Sequence, residues 1–274
     1  MTDPQPLREA LDRAEPKPGP RADRDVKKNY AQRLSNALAQ TVADELRPAF
    51  PRITPTADGL GQESTVPVVR GTKRLDVKVT DATLGLILSV SIKTYSFQDY
   101  SPRRDHLGRW TKNIVRNDHE LRSEAMVLHQ RQPYSVLVAL MFEPYEICDD
   151  GASGGVSSFA HHVTTLSKRT GRGRRPIYGG AAGAYVEYGA EDSRHDLFER
   201  VYIGLYEQYG DVRGAVMFFD VEKSPPRNGR PLQESMLTFE QLTRTIREDV
   251  DRRNRTAPSW ADEDEVAADD AAVG

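Results

Sequence analysis

Residues 134–142, YSVLVALMF, set nine apolar or β-forming residues almost without interruption between Gln132-Pro133 and Glu143-Pro144. A run this short, with no polar alternation, reads as a strand buried on both faces. A chain that contains such a strand needs a sheet with helices to cover it, and the neighbouring patterns supply both.

From Asp25, the residues Val26, Tyr30, Leu34, Ala37, Leu38, Val42 and Leu46 recur at three and four, predicting an amphipathic helix stopped by Pro48 and Pro51 and suited to covering a sheet. A polar turn over 54–62 leads through Glu63 into a short strand, Val66-Pro67-Val68-Val69, closed by Arg70-Gly71. Two β-branched apolar runs, 75–79 and 84–92, joined by Thr80-Asp81-Ala82-Thr83, predict an antiparallel hairpin. Residues 95–112 are basic and aromatic and read as a loop or lid, with Tyr95, Tyr100 and Trp110 among the bases. A second helix is predicted from Asn113, burying Ile114, Leu121, Ala125 and Leu128, with Asn117, Asp118, Glu120 and Glu124 on its other faces. The order from 25 to 142 is therefore helix, strand, strand, strand, helix, strand.

The second half predicts a glycine-rich insertion over 151–183 with a helix near 159–168. A helix begun by Ser193 follows, carrying Leu197, Val201 and Leu205. A central strand is expected within 212–221. A last helix, capped by Thr238 with Gln241 completing the box, runs to about Arg253. The expected organisation is a flexible arm over 1–22, one domain over 23–256 with its core at 25–145 and an elaboration at 146–256, and a disordered acidic tail at 257–274.

Composition narrows the function classes. No apolar run approaches the roughly 20 residues that span a bilayer, and the first residues lack the apolar core of a signal peptide, so a soluble, cytoplasmic protein is expected. The single cysteine, Cys148, excludes an internal disulfide and a cysteine-based zinc cluster. The last 14 residues hold six acids and no base, so the net charge of −3 becomes +3 without them. The bases are bunched: Arg103, Arg104, Arg109, Lys112 and Arg116 in one segment, Lys168, Arg169, Arg172, Arg174 and Arg175 in another. Such bunching suits local contacts to phosphate; its plain alternative is a solvated surface. His161-His162 lacks a third metal ligand in the sequence and reads as structural or exposed.

The predicted hairpin carries the chemistry. Asp76 stands in its first strand and Lys93 ends its second, with Ser91 on the same face as Lys93 by the period of two. A carboxylate, a hydroxyl and an ammonium at one end of a hairpin suit holding a hard cation beside a phosphodiester.

The element order, with Asp in the second strand and xxK closing the third, resembles the PD-(D/E)xK nuclease superfamily, which includes type II restriction endonucleases, over roughly residues 25–145. The resemblance implies a restriction-endonuclease-like α/β core of order αβββαβ, a central mixed sheet flanked by helices, with C-terminal additions. It also implies Mg²⁺-dependent hydrolysis of double-stranded DNA with one or two ions, in a homodimer able to cut both strands. Asp76 then matches the metal-binding aspartate, Lys93 the lysine that orients the attacking water, and Glu63, or else Glu45, the acid supplied from the first helix or just after it. Ser91 departs from the pattern, standing where an acid supplies the second metal ligand. A branch of restriction enzymes has SxK there and recruits a glutamate from the following helix, for which Glu124, deeper in the helix, or Glu120 qualifies. Arg103, Arg104, Arg109, Lys112, Arg172, Arg174 and Arg175 are the expected DNA contacts. Two alternatives stay open: a catalytically inactive DNA-binding subunit of a DNA defence system, and an adaptor that binds no nucleic acid.

Overall fold

A computed structural model of the chain describes residues 5–81, 84–151, 155–176, 185–187 and 191–255. The acidic tail and the link residues Ala82 and Thr83 lie outside the described residues. Five helices are described: α1 (Arg8–Ala14), α2 (Arg24–Leu46), α3 (Ile114–Arg131), α4 (Ser158–Leu166) and α5 (Phe239–Arg255). The first strands are β1 (Ile53–Thr54), β2 (Thr65–Pro67), β3 (Thr72–Arg74), β4 (Val77–Asp81), β5 (Gly85–Thr94), β6 (Tyr100–Ser101) and β7 (His106–Leu107). They are followed by β8 (Val136–Pro144), β9 (Arg174–Pro176), β10 (Tyr185–Glu187), β11 (Arg200–Tyr206) and β12 (Val216–Asp220).

Six strands form a central mixed sheet in the order β1-β4-β5-β8-β11-β12. Strands β5, β8 and β11 run parallel, while β4 pairs antiparallel with β5, and β12 with β11. All nine residues of β8 are buried, as its unbroken apolar run requires at the centre of a sheet covered on both sides. One face packs Leu88, Val90, Ile92, Val138 and Leu140 against α1, α2 and α5. The other packs Leu137, Ala139 and Met141 against α3 and α4. The architecture is α/β, with helices flanking both faces of the sheet.

Helices α2, α3 and α4 fall where the periodicity predicts them, and the capping box that starts α5 forms. Thr238 Oγ1 accepts the Gln241 N–H at 3.2 Å, and Gln241 Oε1 accepts the Thr238 N–H at 2.8 Å.

Four predictions are corrected. The segment expected to be a free arm contains α1, whose Ala10, Leu11 and Ala14 are buried together with Leu7 against α2. Leu7 N–H donates to Gly214 O at 3.0 Å. Gly214, at φ 91°, lies so close to the Arg8 backbone that a Cβ would collide with it. Second, the helix predicted from Ser193 is strand β11. Val201, Ile203 and Leu205 enter one core while Tyr202 and Tyr206 enter the other, and the period of two wins over the 201/205 and 202/206 spacings that imitate a helix. Third, the strand predicted at 66–69 belongs to a separate two-stranded ribbon, β2–β3, so that β1 forms one edge of the main sheet, and the strand expected to be central within 212–221 is β12 at the other edge. Fourth, Asp76 is outside the strand predicted for it, in the bend between β3 and β4.

Beside the start of β11 lies a closed polar cluster. Glu199 Oε1 accepts from Arg172 Nη1 at 3.0 Å and Arg253 Nη2 at 2.9 Å; Oε2 accepts the Leu137 N–H at 2.7 Å and lies 3.4 Å from His129 Nε2. Burial alone would raise the Glu199 pKa, but His129, Arg253 and Arg172 outweigh it and hold the carboxyl well below its ordinary range.

Candidate functional site

The site is built on the last turn of sheet before β5 leaves the core. Because Leu88, Val90 and Ile92 face α2, the alternate residues Ser89, Ser91 and Lys93 face α3. Register places Ser91 opposite Ala139 and Lys93 opposite Met141, both β8 residues on the α3 side. Ser91 is buried, and its Oγ has no hydrogen-bond partner among the described residues.

Asp76 reaches this end of β5 from the bend before β4. Val77 pairs with Val90, and the Asp76 Oδ2 accepts the Ile92 N–H at 2.7 Å, fixing the carboxylate beside the Ser91–Lys93 stretch. Burial pushes the Asp76 carboxyl above its ordinary value. The Ile92 N–H and the Lys93 charge pull it down; Glu124 and then Glu63 push it further up. Asp76, Lys93 and Glu124 therefore share one electrostatic neighbourhood, with Glu63 at its margin.

Glu124 comes from the middle of α3. Set apart from the apolar stripe by its spacing and favoured for its depth in the helix, it is buried, with Leu121, Ala125 and Leu128 packed beside it under the sheet. Its direct partner is Lys73 of β3, whose Nζ lies 3.2 Å from Oε2. Lys73 carried no signal in the sequence, because the ribbon that delivers it was read as part of the sheet. Val66 and Leu75 anchor that ribbon in the core under α3, and Lys78 Nζ donates to Thr65 O at 2.8 Å.

The remaining predicted residues separate. Glu120 pairs with Arg116 at 2.7 Å on the outer side of α3. Glu63, at φ 49°, is engaged by Gln32 of α2 at 2.7 Å and by Arg74 at 3.3 Å. Glu45 is exposed at the rim of a cavity of about 670 Å³ whose walls include Met217, Met236 and Phe239. Arg103 and Arg104 are exposed in the turn between β6 and β7, and Lys112 is exposed near the start of α3. Arg109 lies 3.7 Å from Asp150.

Arg172 and Arg174 do not sit on a surface open to DNA. Arg172 is fully buried on Glu199, and Arg174 pairs with Glu222 at 2.7 Å while donating to Glu199 O. Arg175 is partly exposed, with Asp192 3.6 Å away. Their carboxylate partners are distant in sequence, so a basic cluster on paper folds into structural ion pairs.

His162 is buried on α4 with Nδ1 2.6 Å from Glu143 Oε1, while His161 is exposed, in accord with the structural reading of this pair. The Tyr95 ring packs 4.6 Å from the His162 ring, and Tyr95 OH accepts from Asn117 Nδ2 at 3.1 Å.

Among the described residues no three His, Cys, Asp or Glu side chains gather as a group that would hold a metal ion. Asp76 feels the charge of Glu124, and the Ser91 hydroxyl on the neighbouring strand is buried without a partner; sparse Mg²⁺ sites use one or two carboxylates, with water and substrate phosphate completing the shell. Asp76 and Glu124 are the acids that would hold a hard cation of that kind, without a third beside them among the described residues. The chain matches no protein-family model, no curated protein and no solved structure. Among the described residues, no helix is long and apolar enough to cross a membrane.

Proposed function

We propose that this chain is a Mg²⁺-dependent endodeoxyribonuclease with a PD-(D/E)xK core of restriction-endonuclease type, acting on double-stranded DNA in the cytoplasm as a homodimer. The observation that carries the reading is the meeting of Asp76, from the bend before β4, with the Ser91–Lys93 face of β5 under the buried Glu124 of α3. This is the arrangement expected when a helix glutamate stands in for the missing strand acid. Further support comes from the path of the chain: α2, β1, β4, β5, α3 and β8 follow the order αβββαβ, with β4 antiparallel and β8 parallel to β5.

Within this reading Asp76 and Glu124 hold one or two ions, which when bound supply a nucleophilic water and a sink for phosphoryl charge. Lys93 directs its ammonium at the water or the phosphate. Arg103, Arg104 and Lys112, exposed on the segment that follows Lys93, position the DNA backbone.

The test is incubation of supercoiled plasmid with Mg²⁺ and the wild type, Asp76→Ala or Lys93→Ala. The expected result is cleavage by the wild type, reduced about a hundredfold or more by either substitution, the scale for removing one group that stabilises transition-state charge. Cleavage that survives both substitutions overturns the assignment. A second reading, a DNA-binding subunit that does not cut, is favoured by Ser91 and by the lack of a third converging acid among the described residues. It predicts intact plasmid with Mg²⁺ or Mn²⁺ and steeply salt-dependent binding.

A further inference from the structure

The segment expected to be a free arm brings bases to the end of β5 that carries Lys93. The turn between α1 and α2, with the first turn of α2, packs on the chain that follows that lysine. Phe97, three residues beyond β5, is met by two ammonium groups, Lys17 Nζ at 5.4 Å and Lys27 Nζ at 5.7 Å from its ring centre, with the Tyr30 ring edge-on at 5.6 Å. Lys27 Nζ also lies 5.9 Å from the centre of the Tyr100 ring, and Arg21 Nη2 donates to Asp105 Oδ2 at 2.9 Å. Asp105 Oδ1 accepts from Tyr100 OH at 2.8 Å, so this acid is engaged through both oxygens, and Arg103 and Arg104 precede it in the same turn. The α1–α2 corner and the β6–β7 ribbon thus form one surface. Lys17 and Lys27 are half-buried and pin it, whereas Arg21, Arg24, Lys28, Arg103 and Arg104 are exposed. The exposed acids of segments 21–28 and 103–105 are Asp23, Asp25 and Asp105. Five exposed bases against three acids leave an excess of positive charge on a chain whose total is −3.

We propose that the α1–α2 corner is part of the DNA-binding surface, with Arg21, Arg24 and Lys28 continuing across α2 the phosphate contacts that Arg103 and Arg104 begin. The inference rests on the nuclease reading and names further residues that hold its substrate. Duplex DNA is the occupant that suits this surface: its phosphates repeat along an extended backbone, which matches bases carried by separate elements rather than gathered in a pocket, and each base that meets a phosphate releases counterions. Contacts of this kind set the position of the duplex rather than its sequence. The packing of Leu11 and Ala14 against α2 then serves binding as well as the fold, because it holds the turn that carries Arg21.

The test is fluorescence anisotropy of a labelled DNA duplex titrated with the full chain at several salt concentrations, without divalent metal so that binding is read apart from cleavage. The variants are Arg24→Ala/Lys28→Ala, Arg103→Ala/Arg104→Ala and Arg244→Ala/Arg247→Ala, the last removing the same charge from exposed positions of α5. The wild type binds with steep salt dependence. Arg24→Ala/Lys28→Ala lowers the slope of log K against log salt by about 2, as Arg103→Ala/Arg104→Ala does, and the α5 pair leaves the slope unchanged. An unchanged slope for Arg24→Ala/Lys28→Ala, or an equal fall for the α5 pair, overturns the role of the corner while DNA binding by the wild type still supports the nuclease reading. Absence of DNA binding by the wild type overturns that reading, and this inference with it.

Discussion

Glu199, buried, and Asp76, partly exposed, are carboxylates set against the same sheet, and the protein treats them oppositely. Around Glu199 the lone pairs are taken by two guanidinium groups and a backbone N–H, with His129 beside them, and the carboxyl is held far below its ordinary pKa. Around Asp76 one backbone N–H and the field of Lys93 work against burial and two further acids, and the carboxyl is pushed up. The first region is electrostatically closed and can only contribute to the fold. The second is open: Asp76 is met by one backbone N–H and the field of Lys93 rather than by direct ion pairs, so its charge is less well matched.

The sharpest way to break this contrast is Glu199→Ala. It strands Arg172 and Arg253 in the interior, and the expected cost is about 3–5 kcal/mol of unfolding free energy, read from urea denaturation. A loss comparable to that of a surface substitution would mean the cluster is not closed.

The matching change in the open region, Asp76→Asn, has the opposite sign and a smaller size. At neutral pH it raises stability by less than about 1 kcal/mol, because an amide retains an acceptor for the Ile92 N–H without the half-buried charge. The pH dependence separates the two acids further. With a folded pKa above 3.8, Asp76 destabilises the fold while ionised, and this penalty is relieved as pH falls through its raised value. With a folded pKa below 4.5, Glu199 stabilises the fold above pH 4.5, and that contribution is lost on acidification below it. Urea midpoints measured from pH 7 to 4 should therefore rise less steeply, or fall sooner, in Asp76→Asn than in the wild type.

The smallest stability effect belongs to Arg103→Ala/Arg104→Ala, which should leave the unfolding free energy within about 0.5 kcal/mol. If these arginines meet phosphate, the slope of log K against log salt for DNA binding falls by about 2. An unchanged slope removes them from the interface.

The elements legible in the sequence are those with one dominant period. The apolar run of β8, the stripes of α2 and α3 and the Thr238–Gln241 box each have one physical solution. Strand β11 was not legible because Val201 and Leu205 lie four apart as well as on alternate positions. Strand β1, at two residues, is too short to show any period. That Ser91 and Lys93 share a face follows from alternation alone, and the approach of Asp76 to β5 from pairing, although the bend that carries Asp76 does not. Lys73, and the acids that claim Arg172 and Arg174, join their partners through long-range packing, which no local pattern encodes.

The docking of α1 also constrains synthesis. Its partner Arg213, which pairs with Asp12 and with Glu15 at 3.0 Å, stands 201 residues after Asp12. At about 5–20 residues per second, a ribosome needs about 10–40 s to supply it. For that interval the apolar side formed by Leu7, Leu11 and Ala14 lacks its tether to Arg213 and Gly214, which makes the first helix an early emerging, late seated piece that chaperones have time to meet.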